Sequence, residues 1–450
     1  MKEFNRFSGK RKCIFISSPL IKENIPRGIL SIASFLEVNG YPSEIIPLPY
    51  YVDFHQKWSS EHIRYVLKDF IQDTQPLLVG ISNQFTVDYP ICLDILKICK
   101  ELNEDVITVI GGSHVTFLDM ECIKSPSVDI IVRGEGEWTM LELISSLKDG
   151  TNLSNVKGIT FKQNGKIIQT PNRLLGNLEE LPSLDFKLLP FDFVKKSQVL
   201  GMLNRGCTFK CSFCSEAIFW KKKRSFPVER LVGEMETLNN VYGNPMHGIE
   251  DSMLHLGSTQ FISLCTEIKK RKIRLRPDFV IESRVDTITD QGLILMKGTG
   301  IQTVWMGIES GSPKVLKMMN KKIAREQIIA TCARIREHNF EVFAFWMIGH
   351  PGDNPAEAEY SLELLEYLFE KDLLSRVYPG VFIPFPGTKF FKRPEKYGIE
   401  ILSNDWSEWM DYYDTNKVVC QLKDFSADEI VFYYKKLVEM IEKYDKNEWS

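Results

Sequence analysis

Apolar residues in the first third of the chain come in short runs separated by segments of helical periodicity. Ile14-Phe15-Ile16 is the first run and predicts a strand that ends at Ser17-Ser18-Pro19. Ile29, Ile32, Ala33 and Leu36 follow at i, i+3, i+4 and i+7, which predicts a helix stopped at Gly40. The alternation continues through a strand at Glu44-Ile45-Ile46, a helix from Ile63 to Phe70 and a strand over 77–81. A helix from Pro90 to Leu102, a strand over 106–110, a strand over 128–132 and a helix from Thr139 complete it. Strands this apolar, interleaved with helices, predict a parallel sheet covered on both faces. Sheets of this kind bind ligands at the loops beyond the strands' carboxyl ends.

Residues 151–196 break the pattern. Gly158 to Phe161 and Lys166 to Gln169 flank Asn164-Gly165, a two-residue hairpin signal. A Pro- and Leu-rich stretch with Leu181-Pro182 and Leu189-Pro190 follows, and the segment reads as a linker. A second β/α series begins near Ser197, with strands expected at 199–203, 246–250, 278–283, 303–308, 341–348 and 377–383. One intervening helix, Pro227 to Val241, is expected to bury Leu231, Met235, Leu238 and Val241. Six β/α units predict a partial (β/α)6 barrel with its chemistry at the strands' carboxyl ends. The tail, 401–450, predicts a small helical region whose helix starts at Ser426, with Ser426 and Glu429 spaced as a capping box. The expected organisation is thus α/β throughout: a doubly wound, Rossmann-like sheet over 1–150, a hairpin and linker over 151–196, a barrel over 197–400, and the helical tail.

Bulk composition narrows the class without changing this picture. Hydrophobic residues make up 44% and charged residues 26%, with a formal net charge of −3, the balance of an ordinary globular protein. A slight acidic excess disfavours nucleic acid as a partner. No run of 18 apolar residues predicts a membrane span, and Met1 to Lys12 lead into no apolar stretch of signal length. The expected location is the cytoplasm. Seven of the ten cysteines (Cys13, Cys92, Cys99, Cys122, Cys265, Cys332 and Cys420) lie scattered in apolar contexts and are expected reduced and buried.

The other three cysteines stand together in Gly206-Cys207-Thr208-Phe209-Lys210-Cys211-Ser212-Phe213-Cys214, a C-x3-C-x2-C loop directly after the first strand of the second series. Thiolates hold iron–sulfur clusters, usually four to a cluster. Three on one loop leave one iron open to a cofactor or substrate. Zinc is the alternative, with His247 or His255 completing the set. At these residues the sequence resembles the radical S-adenosylmethionine (SAM) superfamily. That resemblance implies a [4Fe–4S] cluster on Cys207, Cys211 and Cys214, with SAM on the open iron and a 5′-deoxyadenosyl radical as the reactive species.

The resemblance extends along the barrel. Phe213 occupies the family's aromatic position near adenine. Glu250-Asp251 ends the second strand, where the family holds the SAM amino group. Ser283-Arg284 ends the third, where polar residues meet the ribose and carboxylate of SAM; a guanidinium suits a carboxylate through its planar fork. Gly307-Ile308-Glu309-Ser310-Gly311 matches the family's G-I-E-S-G, and so assigns Glu309 to the SAM site. Gly349-His350-Pro351-Gly352 resembles its G-x-P-G, although Asp353-Asn354 replaces the usual Glu-Thr, and Pro386-Gly387-Thr388 matches its P-G-T.

The first strand of the chain is followed by no G-x-G-x-x-G, which disfavours NAD. Placed before such a barrel, the N-terminal domain resembles the cobalamin-binding domain of the B12-dependent radical SAM subclass, through Pro26-Arg27-Gly28, Gly111-Gly112-Ser113-His114 and Gly134-Glu135-Gly136-Glu137. The resemblance implies that Asn83 and Gln84 face the lower side of the corrin. Ser82, Gly111, Gly112 and Ser113 line the nucleotide tail, and Gly134, Glu135, Gly136 and Glu137 form a further cobalamin loop. No D-x-H-x-x-G offers a lower cobalt ligand, and His114 lies in the wrong motif for one.

Three functions are compatible with these motifs. The first is a cobalamin-dependent radical SAM methylase acting on an unactivated carbon of a small molecule or natural-product intermediate, served by an electron donor such as flavodoxin or ferredoxin. The second keeps the cofactors but yields cyclisation, ring contraction or rearrangement. The third is a non-catalytic iron–sulfur or cobalamin sensor. Trp406, Trp409, Tyr412 and Tyr413 in the tail fit either a pocket wall or a core.

Overall fold

Four consecutive buried side chains, Cys13 to Ile16, make β1 (Cys13–Ile16) an inner strand with both faces covered. The computed structural model describes residues 11–18, 24–52, 59–410 and 417–444. The chain forms two compact units, residues 1–199 with 240–244, and residues 200–239 with 245–450.

In the first unit β1 pairs in parallel with β2 (Ser43–Ile46) and β3 (Leu78–Ser82). The sheet continues in parallel through β4 (Ile107–Gly111) and β5 (Ile130–Val132). Helices Arg27–Val38 and Gly136–Asp149 pack together, as do Ser60–Lys68 and Tyr89–Leu102. The Asn164-Gly165 hairpin forms as expected, but it is no linker. Its strands β6 (Ile159–Gln163) and β7 (Lys166–Gln169) extend the same sheet, antiparallel to β5. Without them β5 would present an unpaired edge. The Pro- and Leu-rich stretch is also part of this unit, since Leu181, Leu184, Phe186, Leu189, Phe193 and Val194 are all buried.

The second unit begins with β8 (Leu200–Gly201) and a small antiparallel pair, β9 (Asn204–Arg205) with β10 (Arg224–Ser225). Its main sheet runs β8, β11 (Gly248–Ile249), β12 (Val280–Ser283), β13 (Thr303–Glu309), β14 (Glu341–Ile348) and β15 (Arg376–Val381), every pair parallel and in chain order. This is the expected six-stranded β/α series. The period-2 pattern is explicit in β14: Val342, Ala344, Trp346 and Ile348 are buried, while Phe343, Phe345 and Met347 on the other face are only partly so.

One helical expectation fails. Leu231, Met235 and Leu238 are buried, but Val241 is 55% exposed. The α-helix Val228–Thr237 widens into a π turn over Leu238–Tyr242. The extra residue per turn rotates Val241 outward and Tyr242 inward.

Beyond β15, β16 (Ile399–Ile401) pairs with β17 (Cys420–Leu422) and the helix Ala427–Tyr444 closes the chain. Its capping box is complete. Ser426 N donates to Glu429 Oε2 at 2.8 Å, and Glu429 N to Ser426 Oγ at 3.4 Å. Trp409 lies buried with Ile383 and Val419, and Trp406 packs against them, so these two aromatics serve a core. Tyr412 and Tyr413 lie outside the described residues. The seven scattered cysteines are all buried and free.

Candidate cofactor sites

The cysteine loop leaves β9 at Gly206, which has φ +81° and where a Cβ would meet Lys222 O at 2.7 Å, so only glycine fits. Cys207, Cys211 and Cys214 are each part-buried on the loop that follows. The loop is held from a distant stretch of chain, the end of helix Pro313–Met318. Ser212 N donates to Met319 O at 2.8 Å, Ser212 Oγ to Met318 O at 2.7 Å, and Asn320 Nδ2 to Lys210 O at 2.7 Å. Burial pushes the Cys207 thiol up and the Cys214 thiol to about 12, with Glu216, Cys211 and Cys207 adding to the latter. Grouped thiols that resist ionisation alone become good ligands once a cationic centre neutralises them. Among the described residues no three His, Cys, Asp or Glu side chains converge on one ion. A cubane does not require this, since each thiolate takes a different iron. The donor set therefore fits an iron–sulfur cluster.

The expected SAM residues divide into two groups. Asp251, 1% exposed, accepts from Leu203 N and Asn204 N at Oδ1 and from Asn204 Nδ2 at Oδ2, and burial raises it to about 6. Ser283 donates to Leu254 O at 2.7 Å and exchanges a bond with Thr287. Arg284 lies against Asp286, the Lys321 carbonyl and Cys211. These three side chains are thus committed to the walls of the site. Glu250 is exposed at the end of β11. Phe213 meets His350 edge-on, with ring centroids 5.9 Å apart.

Glu309 combines a φ of +71° with a register shift of β13 against β14 between Gly307 and Glu309. A non-glycine residue held in this region carries a backbone cost that the surrounding structure must sustain. The glycines of G-I-E-S-G have steric reasons. A Cβ on Gly307 would sit 2.3 Å from Glu309 Oε1, and one on Gly311 would sit 2.8 Å from Leu364 Cβ.

Sequence reasoning missed several residues here. Burial raises Glu282 on β12 to about 8, and Glu250, Asp251 and Glu216 push it further. Glu216 accepts from Trp220 Nε1 and Ser252 Oγ. The signal for Glu282 was available, because an acid at the parity opposite to Ile281 and Ser283 faces away from the helices. Lys321 and the segment 318–321 carried none, since Met-Met-Asn-Lys-Lys reads as an exposed helix end.

In the first unit the loops after β3, β4 and β5 are tied together. Asn83 N donates to Gly111 O at 2.7 Å, Ser113 Oγ to Gln84 O at 2.8 Å, and Gly134 N to Thr116 Oγ1 at 2.9 Å. Ser82 stands opposite Gly111 in the sheet. Gly112 has φ +120°, and a Cβ there would sit 2.0 Å from Asn83 O; Gly134 has φ +72° with open space beside it. Gly136 packs against Ile32, and buried Glu137 accepts from Ser31 Oγ at 2.7 Å, so both serve the helix packing, while Glu135 precedes that helix as its N-cap. Two fully buried acceptors, Asn83 Oδ1 and Asp88 Oδ1, have no hydrogen-bond partner among the described residues. Buried acceptors without a partner are groups that the amide N–H donors at a corrin's rim can satisfy. His114 is 1% exposed, bonds Thr86 Oγ1 through Nδ1 at 3.3 Å and stacks on Tyr89, and burial lowers it to about 4.

Each unit contains a region that matches a known family. Residues 202–365 match the radical SAM superfamily and residues 22–144 the B12 binding domain. An uncharacterized methyltransferase of Pyrococcus horikoshii is 31% identical over 367 residues, covering 80% of this chain and 77% of the relative. The anaerobic magnesium-protoporphyrin IX monomethyl ester cyclase of Rubrivivax gelatinosus is 28% identical over 72% of this chain and 59% of its own. The radical SAM methyltransferase TsrM from Kitasatospora setae, solved with tryptophan substrate and a SAM analogue, shares the fold with a TM-score of 0.74 at 16% identity, covering 97% of this chain and 89% of its own. The chain belongs to the radical SAM enzymes that carry a cobalamin-binding domain. Its cofactors are accordingly a [4Fe–4S] cluster, SAM and cobalamin. Among the described residues no helix is long and apolar enough to cross a membrane.

Proposed function

We propose that the protein is a cobalamin-dependent radical SAM methyltransferase that acts on an unactivated carbon of a small molecule. Cys207, Cys211 and Cys214 hold the cluster. The acids around Glu282, chiefly Glu250, receive the SAM amino group, because a cation there relieves the like-charge repulsion that helps to raise Glu282. Phe213 and Glu309 bound the rest of SAM, while Asp251, Ser283 and Arg284 shape its walls. Asn83, Gln84, Gly111, Gly112, Ser113 and Gly134 cradle cobalamin, with Ser82 and Glu135 at the cradle's edge. When bound, the three groups supply an electron, a hydrogen-abstracting radical and a methyl group. The protein's own part is to hold them, orient the substrate and keep water out. A flavodoxin- or ferredoxin-type protein delivers the electron.

The observation that carries this reading is the thiol loop at the head of a six-stranded β/α sheet, in a chain whose other unit is B12-binding. The methyltransferases among its relatives support methyl transfer. The cyclase relatives support a second outcome, ring formation with the same cofactors. The test is anaerobic reconstitution followed by turnover with methyl-labelled SAM on substrates suggested by neighbouring genes. Label in the product supports methyl transfer. An unlabelled product two hydrogens lighter than its substrate selects the cyclase. No SAM cleavage under reducing conditions removes both.

A further inference from the structure

Arg284 does not stand free at the end of β12. Its Nη1 donates to Cys211 Sγ at 3.3 Å, its Nη2 to Lys321 O at 2.7 Å, and its Nε to Asp286 Oδ1 at 2.9 Å. The guanidinium carbon lies 3.8 Å from the Phe209 ring centroid, and only 8% of the side chain is exposed. Four different partners thus fix one planar group. Phe209 and Cys211 belong to the cysteine loop, and Lys321 belongs to the segment that braces it. A carboxylate-binding arginine needs its fork turned outward; this fork is spent within the protein.

We propose that Arg284 is a positioning residue that sets the reduction potential of the cluster, by donating an N–H to the sulfur of Cys211. This rests on the assignment of Cys207, Cys211 and Cys214 as the cluster ligands. A hydrogen bond to a ligating sulfur stabilises the more negative, reduced state, and so raises the potential. The positive charge acts in the same direction, and low exposure limits its screening. Asp286 partly offsets the charge but holds the donor in line. Beyond its place in the wall of the SAM site, Arg284 acts through Cys211 on how readily the protein accepts its electron.

The experiment is a redox titration of the anaerobically reconstituted full-length protein with titanium(III) citrate, read by electron paramagnetic resonance of the reduced cluster, without substrate. Iron content and circular dichroism are measured alongside, and SAM affinity by calorimetry. Arg284→Gln removes the charge, and its shorter side-chain amide falls short of Cys211 Sγ. It should lower the reduced-to-oxidised ratio at a fixed poise at least tenfold, a negative shift of about 59 mV or more for one electron. Arg284→Lys keeps the charge but lacks the span to reach Cys211 from the same anchors, and should shift in the same direction by less. An unchanged potential in both variants overturns the proposal, and a simultaneous loss of SAM affinity would give Arg284 to the SAM carboxylate instead. If Arg284→Gln takes up no iron, Arg284→Lys decides by the same criterion. Loss of the cluster from both leaves a purely structural role and overturns it too. A wild-type protein that binds no iron overturns the cluster assignment itself, and this proposal with it.

Discussion

The Lys321 ammonium lies 2.7 Å from the Glu309 carboxylate, with the two side chains 4% and 10% exposed. The pair spans the end of β13 and the segment that braces the cysteine loop, and Gly307 leaves it room. Lys321→Met would leave a carboxylate buried without its partner, a loss of about 3–5 kcal/mol. Pairing that change with Glu309→Gln should recover much of the loss. Urea denaturation of the two single variants and the double variant tests this. A coupling energy within about 0.5 kcal/mol of zero would show that the residues act independently.

Two glycines of the B12-binding unit should respond differently to alanine. At Gly112 a methyl group would meet the backbone of Asn83, so Gly112→Ala must displace the loop after β3. A loss of about 3 kcal/mol or more and of cobalamin retention is expected. Gly134→Ala meets open space and carries chiefly the left-handed backbone cost, about 1–2 kcal/mol. Denaturation midpoints and the cobalamin absorbance that survives gel filtration read both. Equal effects at the two positions would contradict the packing described.

His114 is packed between Thr86 and Tyr89 rather than presented to a ligand. The cob(II)alamin form should therefore give a base-off spectrum without nitrogen superhyperfine splitting, and His114→Ala should leave that spectrum unchanged. Nitrogen splitting that disappears in the variant would make His114 the lower ligand after all.

Asp353 accepts from Gly349 N and Asn354 N, yet burial raises its carboxyl from 3.8 to about 7, with Glu357 raising and Lys314 lowering it further. The folded protein therefore binds the proton more tightly than the unfolded chain. The stabilisation is complete below about pH 4 and is lost as pH rises through about 7. Asp353→Asn removes this dependence. The variant should gain on wild type by up to about 4 kcal/mol between about pH 4 and pH 8, measured by urea denaturation across that range. Parallel pH profiles would show that Asp353 is ionised throughout.

The β/α order of both units was legible because buried parallel strands write themselves as unbroken or nearly unbroken apolar runs, as Ile14 to Ile16 and Ile130 to Val132 do. The cysteine loop was legible because three of the ten cysteines sit within eight positions. The hairpin strands at 159–169 were readable, but their attachment to β5 was not, since edge pairing depends on which strand lacks a neighbour. Val241 was misplaced because a π turn changes the helical period without changing the composition. The departure at Asp353-Asn354 has a local explanation in the structure: Asn354 Oδ1 accepts from Ala356 N and Glu357 N and caps the helix Pro355–Glu370. Side-chain commitments such as Arg284 on Cys211 and Asp251 on Asn204 join positions 73 and 47 apart, and no local pattern reports them.

The bracing of the cysteine loop by Met318, Met319 and Asn320 also has a consequence for the order of synthesis. The three cysteines are synthesised close together, but the backbone that braces their loop follows about a hundred residues later. A zinc finger gathers its metal first and folds around it. In this chain the described shape of the cysteine loop instead depends on backbone that lies beyond β13, the fourth parallel strand of its sheet, so that shape is available only once this later stretch has been synthesised.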